Sequence, residues 1–294
     1  MNQKKDNVFE CSAVTRGIEI EITNYCTMEC IVCPRKQLKS FSFLSFDNFR
    51  KIVSLLKEGN YEEIMVCGLG DAFLHKEIND FMEYLFKEIP TINLFFMTKG
   101  GSIKDFHLEK ILSLKERGFN VSLTFSVFSL EEKLYNKLTG GDYYANFMNL
   151  LKKANKMNIN YSMEFMLSLL NIKELNGFIK LAKSLNKDYG ISLVHNWGGI
   201  INKKIHNQFF DEEKLKGYFI RRKENDLCEV MKYDYLYINS NGGVYQCSLN
   251  ELYETGYLGE IGQYSLKEFL EKKNNLDYLK LCNKCFYFNY KTFN

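Results

Sequence analysis

One stretch near the N-terminus decides the fold: Ile18-Glu19-Ile20-Glu21-Ile22-Thr23-Asn24-Tyr25-Cys26-Thr27-Met28-Glu29-Cys30-Ile31-Val32-Cys33-Pro34. Its first five residues alternate apolar and charged side chains, which is the period of a β-strand. Directly after them, Cys26, Cys30 and Cys33 follow one another with C-x3-C-x2-C spacing. The sequence therefore predicts a strand that ends in a loop carrying three thiols.

Three thiolates on one short loop can bind three irons of a cubane iron–sulfur cluster and leave the fourth iron without a protein ligand. An open coordination position can bind a substrate or a cofactor, so the triplet indicates chemistry as well as structure. A chance arrangement of cysteines, or a zinc site, is the alternative interpretation.

Composition is that of an ordinary globular protein. The 294 residues are 46% hydrophobic and 26% charged, enough for one large domain or a domain with a smaller module. A net charge of +3 gives no field that would make nucleic acid an obligatory partner. We expect no membrane span and no secretion signal, because no long apolar run is present. Nine cysteines in such a chain predict metal or redox chemistry in the reducing cytoplasm.

Beyond the first strand, strand and helix patterns alternate through the first two-thirds of the chain. Further strands are predicted over 63–67, 93–98, 120–127, 160–167 and 190–196. Helices are predicted over 46–56, 76–88, 106–117 and 172–185, with two helical pieces over 130–157. This alternation predicts βαβ units and a parallel sheet, hence an α/β protein. Six units fit a partial (β/α)6 TIM-like barrel, and a flat doubly wound sheet fits the same periodicity.

The pattern changes in the last third. Residues 201–227 are rich in charges of both signs, and we interpret them as a bridge between the segments before and after them. Asn241-Gly242 between two alternating segments predicts a β-hairpin, and Ser265 with Glu268 predicts a capping box at the start of a helix. We therefore divide the chain into a barrel (1–200), a charged bridge (201–227) and a small α+β module (228–294).

A second set of cysteines lies in this module: Cys228, Cys247, Cys282 and Cys285. Two paired cysteine elements suit a structural zinc site and an iron–sulfur cluster about equally well. Beside the first triplet, iron–sulfur is the better interpretation. If all four thiolates bind one cluster, no iron stays open, and the cluster would carry electrons or hold the structure together.

The triplet after the first strand resembles the radical S-adenosylmethionine (SAM) superfamily. The spacing Cys228-x13-Gly242-x4-Cys247, followed by a distant C-x2-C, is similar to that family's SPASM/twitch extension in its shorter, one-cluster form. The resemblance implies a partial (β/α)6 barrel, two [4Fe-4S] clusters, and SAM bound at the open iron. It also implies reductive cleavage of SAM to a 5′-deoxyadenosyl radical, with electrons from a flavodoxin- or ferredoxin-type donor.

The resemblance also implies six residues around SAM: Gly68, Gly70 and Asp71 in a GGE-type motif, Ser126 at the end of the fourth predicted strand, Val32, and Trp197 in Asn196-Trp197-Gly198-Gly199. Asp71 stands where the family usually has Glu, and Val32 where an aromatic residue is usual. Lys99 replaces Asn in a Thr-Asn-Gly-like turn. A tight turn explains the glycine pair equally well, and Trp197 suits a rim aromatic.

No spacing argument identifies the catalytic acid or base. Cys67, at the end of the second predicted strand, is a candidate hydrogen-atom donor, although a buried structural cysteine is the simpler interpretation. His195 is a candidate base, although most such histidines serve packing. Asp71 and Glu164 carry carboxyl groups that suit the same role.

Three functions fit these observations. The first is dehydrogenation of a hydroxylated small molecule, such as a sugar or an aminoglycoside precursor, because a second cluster can accept an electron. The second is a peptide-modifying enzyme that forms a thioether or C–C crosslink or epimerises a residue; the short segment before the first strand leaves no room for a fused leader-binding domain. The third is a non-enzymatic zinc-binding protein.

Overall fold

The computed structural model describes residues 8–9, 17–197, 200–221, 228, 230, 233–249, 255–278, 282, 285 and 290–292. A ten-stranded sheet runs through them in the order β1-β7-β6-β5-β4-β3-β2-β9-β10-β11. Its strands are β1 (Val8–Phe9), β2 (Gly17–Ile20), β3 (Glu63–Val66), β4 (Asn93–Thr98), β5 (Val121–Val127), β6 (Tyr161–Leu167), β7 (Tyr189–Leu193), β9 (Tyr235–Ile238), β10 (Gly243–Tyr245) and β11 (Tyr257–Glu260). Two further strands, β8 (Phe219–Arg221) and β12 (Tyr290–Thr292), form a separate antiparallel pair.

The pairing from β1 through β9 is parallel throughout, and only β10 and β11 run antiparallel to their neighbours. Parallel strands need crossover connections, which helices supply. The helices are α1 (Phe46–Glu58), α2 (Ile78–Glu88), α3 (Asp105–Glu116), α4 (Glu132–Thr139), α5 (Tyr144–Lys156), α6 (Leu175–Ser184), α7 (Lys203–His206) and α8 (Leu266–Asn274). The prediction of an α/β barrel-type sheet with a C-terminal hairpin is confirmed.

Side-chain capping fixes the first residue of two helices. The Ser45 side chain accepts the Asn48 N–H at the start of α1, and Ser265 forms the predicted capping box with Glu268 at the start of α8. None of the described helices is both long and apolar enough to cross a lipid bilayer.

The two faces of the sheet differ in chemistry. On β5, Leu123, Phe125 and Val127 are fully buried and belong to the main core with the helices. The alternate residues of β5 are Ser122, Thr124 and Ser126. We call the side opposite the helices the inner face. Burial of each large apolar side chain on the helix side contributes about 2–3 kcal/mol, so this face fixes the register, and the polar residues must then point inward.

The C-terminal hairpin continues the barrel sheet, which the sequence pattern did not predict. β9 pairs parallel with β2 over four residues, from Gly17↔Tyr235 to Ile20↔Ile238. The edge strand β1 and the pair β8–β12 were also missed. The division into barrel, bridge and module stays a prediction, with α7 and β8 lying inside the predicted bridge.

Lys273 ties α8 to the segment that leads into β9. The side chain is 1% exposed, and its ammonium donates to the carbonyl oxygens of Val230 (2.8 Å), Tyr233 (2.7 Å) and Tyr235 (2.8 Å). Three hydrogen bonds offset the cost of burying the charge.

We expect Lys273→Met to lower the free energy of unfolding by about 2–4 kcal/mol, because three carbonyl oxygens lose their donor. The neighbouring Lys272 is exposed, covers the Tyr264 ring and lies within electrostatic reach of Glu268, so Lys272→Met should cost about 1 kcal/mol or less. Thermal unfolding of both variants under anaerobic conditions tests this. Equal losses would show that the Lys273 contacts do not stabilise the fold.

Candidate active site

The cysteine loop follows β2 and lies on the end of α4. The backbone N–H groups of Glu29 and Ile31 donate to the carbonyl oxygens of Thr139 (3.1 Å) and Leu138 (3.0 Å). Cys30 is buried, and Cys26 and Cys33 are half-buried. A turn closes the loop where the Cys33 N–H donates to the Cys30 carbonyl (3.0 Å). The three thiols thus sit on a backbone that is fixed from outside the loop.

The glycine motif packs directly against the start of this loop. The Asp71 N–H donates to the Tyr25 carbonyl at 2.9 Å. A Cβ on Gly70 would lie 1.9 Å from the Thr23 carbonyl oxygen, which no side chain tolerates. Gly68 adopts φ +127°, a region that favours glycine, and a Cβ there would meet the Glu21 side chain at 2.7 Å. The motif therefore needs both glycines, because the backbones approach so closely.

Glu21 holds the same motif from the inner face. Its fully buried carboxylate accepts the Leu69 N–H at 2.8 Å and the Ser240 hydroxyl at 2.8 Å. Burial raises the pKa of Glu21. Ser240 lies in the turn between β9 and β10, so one carboxyl group connects the glycine motif to the C-terminal hairpin. In the sequence, Glu21 was recognisable only as one of the charged residues in an alternating strand pattern.

Asp71 uses its side chain locally. Its carboxylate accepts the Phe73 N–H at 3.2 Å and caps the short 3-10 turn Ala72–Leu74. Burial raises the pKa of Asp71, while hydrogen bonding to Ser102 opposes that rise. The shorter side chain, where the resemblance leads us to expect Glu, is therefore engaged in shaping the turn.

Lys99 places a positive charge beside the three thiols. Burial by itself lowers the pKa of Lys99, but the charges of Cys30, Cys33, Cys26 and Asp71 outweigh it and raise the pKa overall. The ammonium also lies 5.2 Å from the Phe128 ring centroid. Burial raises the pKa of Cys26 and Cys30, and the Lys99 ammonium opposes that rise and so favours the thiolate form that binds metals. In the sequence, Lys99 was recognisable only as a departure from a motif. Its positive charge was the one feature that could have indicated a place beside the thiols.

Trp197 and Val32 meet across the site. The Trp197 indole N–H donates to the Val32 carbonyl at 2.9 Å, and the Trp197 backbone N–H donates to Nδ1 of His195 at 3.2 Å. Burial, with repulsion from His206 and Lys99, lowers the pKa of His195 to about 3. His195 is therefore neutral near pH 7, and it is a weak base. Gly198 and Gly199 of the predicted motif lie outside the described residues.

Cys67 is engaged with a buried carboxyl group. Its thiol donates to Glu19, which also accepts the Tyr235 hydroxyl, and burial raises the pKa of Glu19. Cys67 packs against a small hydrophobic cluster that includes Met65 and Tyr237. These contacts favour the structural interpretation of Cys67.

Ser126 stands on the inner face of β5 and is 6% exposed. In the parallel register its Cα partner on β6 is Glu164. Asp71, Ser126, Trp197 and Val32 thus all lie beyond or near the carboxyl ends of parallel strands, where ligands bind in α/β sheets.

The second cysteine set also comes together in space. Cys282 and Cys285 are buried and share a turn in which the Cys285 N–H donates to the Cys282 carbonyl at 2.9 Å. Burial, followed by the charges of Cys285 and Cys228, raises the pKa of Cys247 well above its usual range. The structure therefore brings Cys228, Cys247 and Cys285 within electrostatic reach of one another, and the turn adds Cys282.

Both sets contain the same backbone contact to sulfur. The Met28 N–H donates to Sγ of Cys26 and the Leu249 N–H to Sγ of Cys247, each at 3.4 Å. Such bonds to sulfur tune the potential of iron–sulfur clusters. Among the described residues, no three His, Cys, Asp or Glu side chains form a group arranged to hold a single metal ion. A cubane gives each cysteine its own iron, and thiol sets of three and four fit that donor chemistry.

Residues 20–182 match the family model of the Radical SAM superfamily. The chain belongs to this superfamily. Membership supports SAM and one [4Fe-4S] cluster as cofactors, as the resemblance implied. The second cluster and the individual site residues stay predictions.

One curated protein and two solved structures are similar to this chain. A probable GTP 3′,8-cyclase of Methanocaldococcus jannaschii is 26% identical over 220 residues, covering 73% of this chain and 66% of that protein, slightly less than two-thirds of its length. BtrN, solved with AdoMet and 2-DOIA, has a TM-score of 0.61 at 15% identity and covers 92% of both chains. SuiB of Streptococcus suis, bound to its precursor peptide SuiA, has a TM-score of 0.69 at 14% identity, covering 86% of this chain and 64% of SuiB. At these identities the two solved structures show the fold alone.

We expect Gly70→Ala to weaken SAM binding at least about tenfold, or 1.4 kcal/mol, because the added Cβ displaces the Thr23 carbonyl and with it the cysteine loop. Equilibrium dialysis of SAM against the anaerobic, cluster-loaded protein measures this. Gly177→Ala in α6 is the control, since its Cβ would make an ordinary contact of 3.4 Å with Leu130. Unchanged SAM affinity in Gly70→Ala would contradict the placement of the glycine motif at the SAM site.

Proposed function

We propose that this radical SAM enzyme oxidises a hydroxylated small molecule, such as a sugar or an aminoglycoside precursor, by net removal of two hydrogen atoms. The observation that carries the proposal is the presence of two thiol sets of different size joined by one sheet. Cys26, Cys30 and Cys33 follow β2, and Cys247 follows β10 of the hairpin that pairs with β2 through β9.

In this proposal the triplet holds the cluster that binds SAM, and together they supply the 5′-deoxyadenosyl radical that removes one hydrogen atom from a substrate C–H bond. Lys99 favours the thiolate form of the triplet, and the Gly68–Asp71 segment shapes the space beside it. The substrate carbon must then lose one electron and the adjacent hydroxyl one proton to become a carbonyl group. Cys228, Cys247, Cys282 and Cys285 would hold an iron–sulfur centre, which would supply an acceptor for that electron.

The chemistry of the inner face supports a small polar substrate. Ser126 and the hydrogen-bonded pair Thr124 and Ser162 (3.1 Å) give β5 and β6 a wall of hydroxyl groups. The described strands β2 to β7 carry no Lys or Arg. Hydroxyl and carboxyl groups suit a neutral or cationic ligand, whereas a triphosphate requires clustered cations.

A nucleotide substrate is the second candidate, favoured by the likeness to the probable GTP 3′,8-cyclase over 73% of the chain. The absence of Lys and Arg from the described strands β2 to β7 argues against it. Peptide modification is the remaining alternative.

Deuterium transfer tests the proposal. The anaerobic holoenzyme is reduced by dithionite, or by a flavodoxin- or ferredoxin-type donor, and offered SAM with C-deuterated sugars and aminocyclitols, deuterated GTP, or a deuterated peptide. We expect deuterium in 5′-deoxyadenosine from a sugar or aminocyclitol, together with a product two hydrogen atoms lighter. Deuterium only from GTP or a peptide, or a product of unchanged mass, would contradict the proposal.

A matched pair of variants tests which step of the reaction each thiol set serves. Cys282→Ala with Cys285→Ala should keep SAM cleavage and lose the oxidised product. Cys26→Ala with Cys30→Ala should lose both. The same loss in both variants would show that the second set has no separate role in the reaction.

A further inference from the structure

A buried carboxyl group on the inner face has no role in the fold or in the cofactor contacts described above. Glu164 stands in the middle of β6 and is 5% exposed. Its sequence neighbours Met163 and Phe165 belong to the main core with the helices, so Glu164 points to the inner face. One carboxylate oxygen accepts the Ser192 hydroxyl from the adjacent strand β7.

No counter-charge accompanies this carboxyl group on its two neighbouring strands. β5 and β7 carry no charged residue. Tyr189 is the one titratable group on them, and it packs on the helix side against Phe178. Burial, which hydrogen bonding from Ser192 only partly opposes, raises the pKa of Glu164 to about 7. Near neutral pH this group can therefore hold a proton or release one.

The position of Glu164 relative to the SAM contacts is set by the strand register. Glu164 is the Cα partner of Ser126, one of the six residues expected around SAM. Neighbouring strands lie about 4.8 Å apart. A substrate that reaches the SAM side of Ser126 is therefore within side-chain reach of Glu164.

A purely structural role explains the carboxyl group poorly. β6 already pairs with β5 and β7 through the backbone ladder. A buried carboxyl group with a single hydroxyl partner costs stability instead of adding to it. Groups of this kind with a shifted pKa concentrate at functional sites.

We propose that Glu164, oriented by Ser192, is a catalytic residue that receives the proton of the substrate group being oxidised, an O–H or an N–H. This inference rests on the proposed function. Glu164 takes the proton from oxygen or nitrogen, the adjacent carbon radical gives its electron to the oxidised iron–sulfur centre of the second cysteine set, and the C–O or C–N bond becomes double.

The test compares Glu164→Gln with wild type, as holoenzyme, on whichever labelled compound donates deuterium. We expect Glu164→Gln to keep deuterium transfer into 5′-deoxyadenosine and to lose at least about 100-fold in oxidised product, because the amide cannot take the proton. Glu174→Gln is the matched control. The Glu174 carboxylate accepts the Ser129 hydroxyl at 2.9 Å, in the turn before α6, and product formation should stay within about twofold of wild type.

The pH profile separates proton transfer from a structural effect. Only the carboxylate accepts a proton, so product formation by wild type should fall as the pH drops below about 7. Ser192→Ala removes the hydrogen bond that lowers the pKa of Glu164, so its profile should move to higher pH. The residual product formation by Glu164→Gln should not show this fall at low pH. A pair of substrates that differ only in hydroxyl or amine at the oxidised carbon identifies the source of the proton.

Wild-type product formation by Glu164→Gln would overturn the inference, as would Ser192→Ala with an unshifted pH profile. Loss of deuterium transfer together with a lower melting temperature in Glu164→Gln would also overturn it, since that result indicates a structural role. Deuterium from GTP or a peptide would contradict the proposed function alone, and the same comparison on that substrate then decides the role of Glu164.

Discussion

The parallel pairing of β2 on both of its edges is the constraint on which the site depends. β3 lies on one side, paired with Ile18–Ile20, and β9 on the other, paired with all four residues of β2. The chain leaves β2 into the cysteine triplet and leaves β3 into the glycine motif. From β9 it passes through a tight turn into β10 and Cys247. One short strand therefore positions the cysteine triplet, the glycine motif and Cys247 relative to one another.

Two carboxyl groups, Glu19 on β2 and Glu21 directly after it, reinforce this arrangement. Glu21 connects Leu69 to Ser240, and Glu19 connects Cys67 to Tyr235, so each joins the β3 side to the β9 side. Burial raises the pKa of both groups, which is the expected cost of placing acids in a low-dielectric interior. Their hydrogen bonds fix the backbones between which SAM is expected to bind.

Local patterns predicted the local elements well. β4 spans 93–98 as predicted, and α1 begins after Ser45, because strand periodicity and helix capping are properties of a few adjacent residues. The β2–β9 pairing joins residues more than 200 positions apart, for which no local signal exists. Glu19 and Glu21 were recognisable only as the charged residues of an alternating strand, since periodicity cannot distinguish water from a polar interior. Lys99 and Glu164 were visible in the sequence only as charged residues. The packing of the loop after β4 places Lys99 beside the thiols, and the register of β5 with β6 places Glu164 beside Ser126.

In the proposed arrangement, three thiols leave an iron open to SAM while four thiols close a second cluster. Electron paramagnetic resonance of the dithionite-reduced protein, with and without SAM and paired with iron analysis, tests this arrangement. We expect two cluster signals, of which SAM alters one. Replacing Cys26, Cys30 and Cys33 by Ala should remove that signal and lower the iron content from about eight to about four per chain. Zinc in place of iron, or a SAM-sensitive signal that survives the triple substitution, would contradict this arrangement.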